Sequence, residues 1–125
     1  MGTRDFGLID DIQQQVAQAF QLTRAELLSR SRRRPVATAR QVAMYLCRDL
    51  SGERGAQGAY RGTRHARWAS FPRIGLAFAR DHSSVMHACR AVVQRQAADV
   101  TFARLVEGLA CGLRAARAAN IGKEV

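Results

Sequence analysis

Residues 70–92 read SFPRIGLAFARDHSSVMHACRAV, and this stretch decides the architecture. Ser70 is placed to cap a short helix in which Pro72 sits in the first turn, where its missing N–H donor costs nothing. Ile74, Ala77 and Phe78 then fall on one side of that helix, and Arg80-Asp81-His82 forms a tight connection. A second helix follows. At about 100° per residue, His87, Arg90 and Gln94 lie within about 40° of Ser83, with Ser84 adjacent. Val85, Ala88, Cys89, Val92 and Val93 take the opposite side. One face is core and the other consists of hydrogen-bonding groups small enough near the helix start to approach a groove floor. Short helix, tight turn and such a helix make a helix-turn-helix.

Outward from this unit, the rest of the chain supplies packing partners. Leu8, Ile9, Ile12, Val16 and Phe20 form a helical stripe over residues 8–20, with Asp10 and Asp11 near its start. Thr23 and Glu26 have capping-box spacing and open a short helix through Leu27 and Leu28. Residues 29–35, SRSRRRP, contain nothing to bury and read as an exposed basic loop. Thr38 and Gln41 suggest a second box, opening a third helix with Ala39, Val42, Ala43, Leu46 and Leu50 on its inner side. Residues 51–69, rich in Gly and without a sustained period, read as a flexible loop insertion. Phe102, Leu105, Val106, Leu109 and Leu113 predict a closing helix over 101–119. The expectation is a single all-α domain, a small helical bundle over residues 1–125.

Charge is concentrated where the helix-turn-helix lies. The 125 residues carry a formal charge of +10. From Arg30 to Arg95 there are 14 Arg against Asp49, Glu53 and Asp81, a net +11 in 66 residues; the other 59 residues hold six cations and seven acids. A GC-rich genome inflates Arg, and a basic face aids solubility, but neither concentrates the excess in one segment. The planar guanidinium fork suits phosphates and guanine edges, so the basic middle points to nucleic acid.

Other classes fit less well. Cys47, Cys89 and Cys111 lack paired spacing and read as reduced, buried small hydrophobes. His82, His87 and Cys89 do not share a ligating face, so no metal is expected. Asp81, His82 and Ser83 are neighbours in sequence and not disposed as orienter, base and nucleophile, so no enzyme is expected. The only lysine is Lys123, so the sequence has no GxxxxGK[ST] phosphate loop and no nucleotide cofactor is expected. No apolar run approaches the roughly 20 residues that span a bilayer, and the acids of MGTRDFGLIDD do not suit a signal peptide. A cytoplasmic, nucleoid-associated protein without a membrane partner is expected.

The segments ARQVAMYLCRDLSG and SFPRIGLAFARDHSSVMHACRAV, with DIQQQVAQAFQLTRAELLSRSRRRPVATARQ before them, closely resemble the C-terminal DNA-binding domain of the bacterial replication initiator DnaA. The resemblance covers roughly residues 8–113. It implies a Trp-repressor-like fold that binds duplex DNA at sites of the TTATCCACA type. It further implies that Asp81, His82, Ser83, Ser84 and His87 reach base edges or nearby phosphates in the major groove, and that Arg32 enters the adjacent minor groove. Arg33 and Arg34 are its understudies. Arg40, Gln41, Arg48, Pro72 and Arg73 match positions that grip phosphates, and Arg80 and Arg90 join them as basic neighbours of the recognition helix.

Two departures qualify the resemblance. The turn Phe78-Ala79-Arg80-Asp81 is one residue shorter than the family's glycine-containing turn, which bears on where Arg80 is placed. The insertion carries Arg54, Arg61, Arg64 and Arg67 beside Tyr60 and Trp68 and reads as an extra electrostatic grip, the alternative being a disordered tether. The chain is expected to act as a stand-alone, monomeric site-binding protein that regulates replication initiation or transcription. Two rival readings are an architectural protein that binds DNA by charge alone and an adaptor for replication proteins.

Overall fold

A computed structural model describes the backbone of residues 2–57 and 70–124 and the side chains of residues 9–50 and 70–116. Six helices follow in order: α1 (Gly2–Ala19), α2 (Arg24–Leu28), α3 (Arg34–Gln57), α4 (Phe71–Phe78), α5 (His82–Ala98) and α6 (Val100–Glu124). The described residues contain no strand, so the fold is all-α.

Helix α3 is the axis of the bundle and touches every other helix. Its inner positions Ala39, Val42, Ala43, Leu46, Cys47 and Leu50 are buried against Ile9, Ile12 and Val16 of α1, Ile74 and Phe78 of α4, and Val85, Ala88 and Val92 of α5. Phe78 is fully buried, worth about 1.5–3 kcal/mol for a side chain of that kind. Helix α6 closes the bundle through Phe102, Val106, Ala110 and Leu113. No described helix is long and apolar enough to cross a membrane.

Several boundaries and faces differ from the sequence expectation. Helix α3 begins at Arg34 and not at a Thr38 cap, because Pro35 falls in the first turn, where it is tolerated; Ala37 N donates to the Arg33 carbonyl at 2.9 Å. It also runs to Gln57, seven residues into the segment expected to be a loop. The rest of that insertion, residues 58–69, lies outside the described residues. On α5, Val93 is 55% exposed, and on α6 Leu105 is 39% exposed while Ala110 is buried, so the inner stripe is rotated from the expected one. Cys47 is buried, Cys89 half-buried and Cys111 exposed, so only Cys47 is the fully buried thiol expected of all three. Burial pushes the Cys47 thiol above the ordinary range.

A polar chain sets the height of α4 against α1 and α2. Gln13 is fully buried, and its Nε2 donates to the Ala77 carbonyl at 3.1 Å. Its Oε1 accepts from Arg24 Nε at 2.9 Å, and Arg24 Nη2 bonds Asp10 at 2.6 Å. One of the orphan carbonyls at the end of α4 is thereby satisfied.

Candidate nucleic-acid interface

The helix-turn-helix is α4, the turn 79–81 and α5. Ser70 caps α4 by accepting from Arg73 N at 3.2 Å, as the sequence suggested. The helix ends without a glycine: Ala79 adopts φ 56°, ψ 44°, and Arg80 N donates back to the Gly75 carbonyl at 2.8 Å. This return presses the turn onto α4 so closely that a Cβ on Gly75 would lie 2.4 Å from the Arg80 carbonyl oxygen. Gly75 is therefore the residue that permits the short turn, a requirement of backbone proximity with no helical-period signature.

Asp81 caps α5. Its Oδ1 accepts from Ser84 N at 3.1 Å and from Ser84 Oγ at 2.6 Å. These bonds, side chain first, hold the Asp81 carboxyl below its usual range. Of the residues expected to read bases, Asp81 thus has one oxygen committed to the cap and Ser84 has its hydroxyl committed to Asp81. His82, Ser83 and His87 are exposed, and with Arg90 and Gln94 the outer face of α5 is exposed throughout. The structure brings this face together on one helix, backed by buried Val85, Ala88 and Val92.

The basic loop 29–33 lies beside the turn. Arg30, Arg32, Arg33 and Arg34 are exposed, while the loop backbone is pinned from outside. Arg40 Nε donates to the Leu27 carbonyl at 3.0 Å, and its Nη2 donates to the carbonyls of Ser29 (2.7 Å) and Ser31 (3.1 Å). Arg80 Nη2 reaches the same Ser29 carbonyl at 2.8 Å, and its Nη1 bonds the carbonyls of Phe78 and Ala79. Short local bonds shape the loop further, Ser31 N to Ser29 Oγ and Arg33 N to Ser31 Oγ, each 3.2 Å. Between loop and turn opens a cleft of about 400 Å³ lined by Arg30, Ser31, Arg32, Arg40, Arg80 and Ser84 among others.

Two of the expected phosphate ligands have their guanidiniums engaged within the protein. Arg40 is only 9% exposed, and its guanidinium is committed to the Leu27 carbonyl of α2 and to two loop carbonyls, those of Ser29 and Ser31. Burial, with the nearby Arg80 charge second, lowers its proton affinity, although a guanidinium stays charged at any ordinary pH. Arg80 is half-buried and committed to carbonyls on both sides of the cleft. Both act on the loop's position. The other expected phosphate ligands are spread over the surrounding surface. Gln41 and Arg73 are half-buried, Pro72 is exposed, and Arg48 is half-buried with its guanidinium 4.1 Å from the centre of the Phe71 ring. Sequence reasoning overlooked Gly75, Ser29 and Ser31. The last two meet Arg40 and Arg80 through main-chain carbonyls, which any residue carries, so no residue type marked that role.

The family model described as the bacterial DnaA protein helix-turn-helix matches residues 9–57. The chromosomal replication initiator protein DnaA of Acinetobacter baumannii is 39% identical over 95 residues. That match covers 75% of this chain and 17% of the relative's length.

Proposed function

We propose that this chain, a homologue of the C-terminal helix-turn-helix domain of DnaA, binds double-stranded DNA, recognises sites resembling DnaA boxes and acts by occupying them. The observation that carries this reading is the exposed face of α5, with His82, Ser83, His87 and Arg90, on the helix whose Ser84 lines a cleft shared with Arg30 and Arg32 of the basic loop. A helix with small hydroxyls and a histidine on its outer face fits a major groove, and an arginine-bearing loop beside it fits the adjoining minor groove. Arg32 supplies the minor-groove side chain. Asp81, Ser84 and His87 stand at or near the base edges, and Arg33, Arg34, Arg48, Arg73 and Arg90 provide phosphate contacts that place the protein without reading sequence.

The function is non-catalytic occupancy of sites on the nucleoid by a monomer, competing with other box-binding proteins at replication origins or promoters. Anisotropy titrations of duplexes carrying TTATCCACA or a scrambled sequence, each over a salt series, test it. A preference of about tenfold or more that survives at higher salt is the expected result. Equal affinities with equal salt slopes would replace site recognition by charge-driven architectural binding.

A further inference from the structure

We infer that Arg80 is a positioning residue that ties the basic loop to the recognition turn, so that the minor-groove and major-groove elements are presented at one fixed separation. The inference rests on the reading of those two elements as DNA-contacting. The basic loop has no apolar side chain between Ser29 and Arg34 with which to anchor itself. Its position is therefore set by hydrogen bonds to its carbonyls. Arg40 supplies these from α3, the side of the bundle core. Arg80 supplies the bond from the other side, across 51 residues of sequence, while its second nitrogen grips the Phe78 and Ala79 carbonyls that end α4.

One planar group thus bridges loop and turn, which a lysine ammonium, a single point on a flexible stem, does not reproduce. Because Arg40 still holds the Ser29 carbonyl when Arg80 is removed, loss of Arg80 uncouples the loop from the turn without leaving that acceptor unpaired.

Arg80→Ala and Arg80→Lys, each checked for a cooperative melt, separate this role from a phosphate contact. In duplexes bearing TTATCCACA, the A·T pairs under the loop are replaced by G·C or by inosine·cytosine. The latter keeps a minor groove like A·T because it lacks the guanine amino group. The wild-type chain should bind the inosine duplex about tenfold more tightly than the G·C duplex. In both variants that ratio should fall below about twofold, while the penalty for altered major-groove pairs persists and the salt slope is unchanged. A slope reduced by about 0.9 in Arg80→Ala, with equal weakening on every duplex and recovery in Arg80→Lys, would mark a phosphate contact and overturn the inference.

A second readout needs no DNA. Trypsin should cut after Arg30, Arg32 and Arg33 several-fold faster in both variants, well below the melting temperature. Unchanged cleavage would show that Arg80 does not hold the loop. A wild-type chain that ignores all base changes would defeat the DNA reading, and with it the groove-spacing role; tryptic cleavage would then still decide whether the tether exists.

Discussion

The two elements that flank the cleft are positioned by opposite means. Helix α5 presents its polar face because its other face is core: Val85, Ala88 and Val92 are buried against α3 and α4. The loop 29–33 presents Arg30, Arg32 and Arg33 with no core of its own, and hydrogen bonds from Arg40 and Arg80 hold it. Packing energy fixes the helix, and directional polar struts fix the loop. The difference implies that damage to α5 is felt in folding and damage to the loop in recognition.

The strongest way to break that contrast is at the back of α5. Val85 is completely buried, and Val85→Asp places a carboxylate among Phe78, Leu46 and their neighbours in the shared core with no cation built to meet it. Stability should fall by about 4 kcal/mol or more, read as loss of the cooperative transition in urea. A stable variant would show that α5 is not held by this core.

Next in size is the contact that makes the short turn possible. Gly75→Ala puts a methyl group 2.4 Å from the Arg80 carbonyl oxygen, a backbone atom that moves only with the turn. A loss of about 3 kcal/mol is expected from chemical denaturation. Displacement of Arg80 should also loosen the loop, so tryptic cleavage after Arg30 should quicken even where the variant remains folded. An unaffected cleavage rate would mean that turn and loop are mechanically independent.

Removing side chains from the two presenting faces sharpens the contrast without unfolding either. His87→Ala should cost about 1–2 kcal/mol of discrimination between a box and a scrambled duplex. Arg33→Ala should weaken both duplexes alike and lower the salt slope by about 0.9. Paired titrations over a salt series give both numbers, and a loss of discrimination in Arg33→Ala equal to that in His87→Ala would contradict the division between reading and gripping.

What could be read from sequence follows the same line between packing and polar struts. The amphipathic stripes of α1 and α4, the Thr23–Glu26 box and the Ser70 cap all have local periods or spacings, and each recurs in the structure, while α5 keeps Val85, Ala88 and Val92 inside and turns Val93 out. The start of α3 was misplaced because Thr38 and Gln41 satisfy cap spacing inside a helix that Pro35 had already begun. Arg40 and Arg80 resembled surface phosphate ligands because arginine type says nothing of whether a distant carbonyl is waiting. Only the tertiary fold brings Ser29 within reach of both.

The smallest effect tests the turn from the opposite direction. Two helices end on a non-glycine residue in the left-handed region, Gln21 after α1 and Ala79 after α4. Each is followed by a backbone N–H that reaches back five residues, Leu22 to Ala17 at 2.8 Å and Arg80 to Gly75 at 2.8 Å. At Ala79 the methyl group bears a conformational cost that glycine would not, partly offset by the greater freedom glycine has in the unfolded chain. Ala79→Gly should therefore stabilise the domain by about 0.5 kcal/mol, raising the melting temperature by about 2 °C. The bonds from Arg80 run to backbone carbonyls and survive this change, so discrimination between duplexes should stay as in the wild type. A lower melting temperature would mean that the turn relies on the stiffness alanine gives it. Reduced discrimination at unchanged stability would locate the loop's registration in the turn backbone and not in the Arg80 side chain.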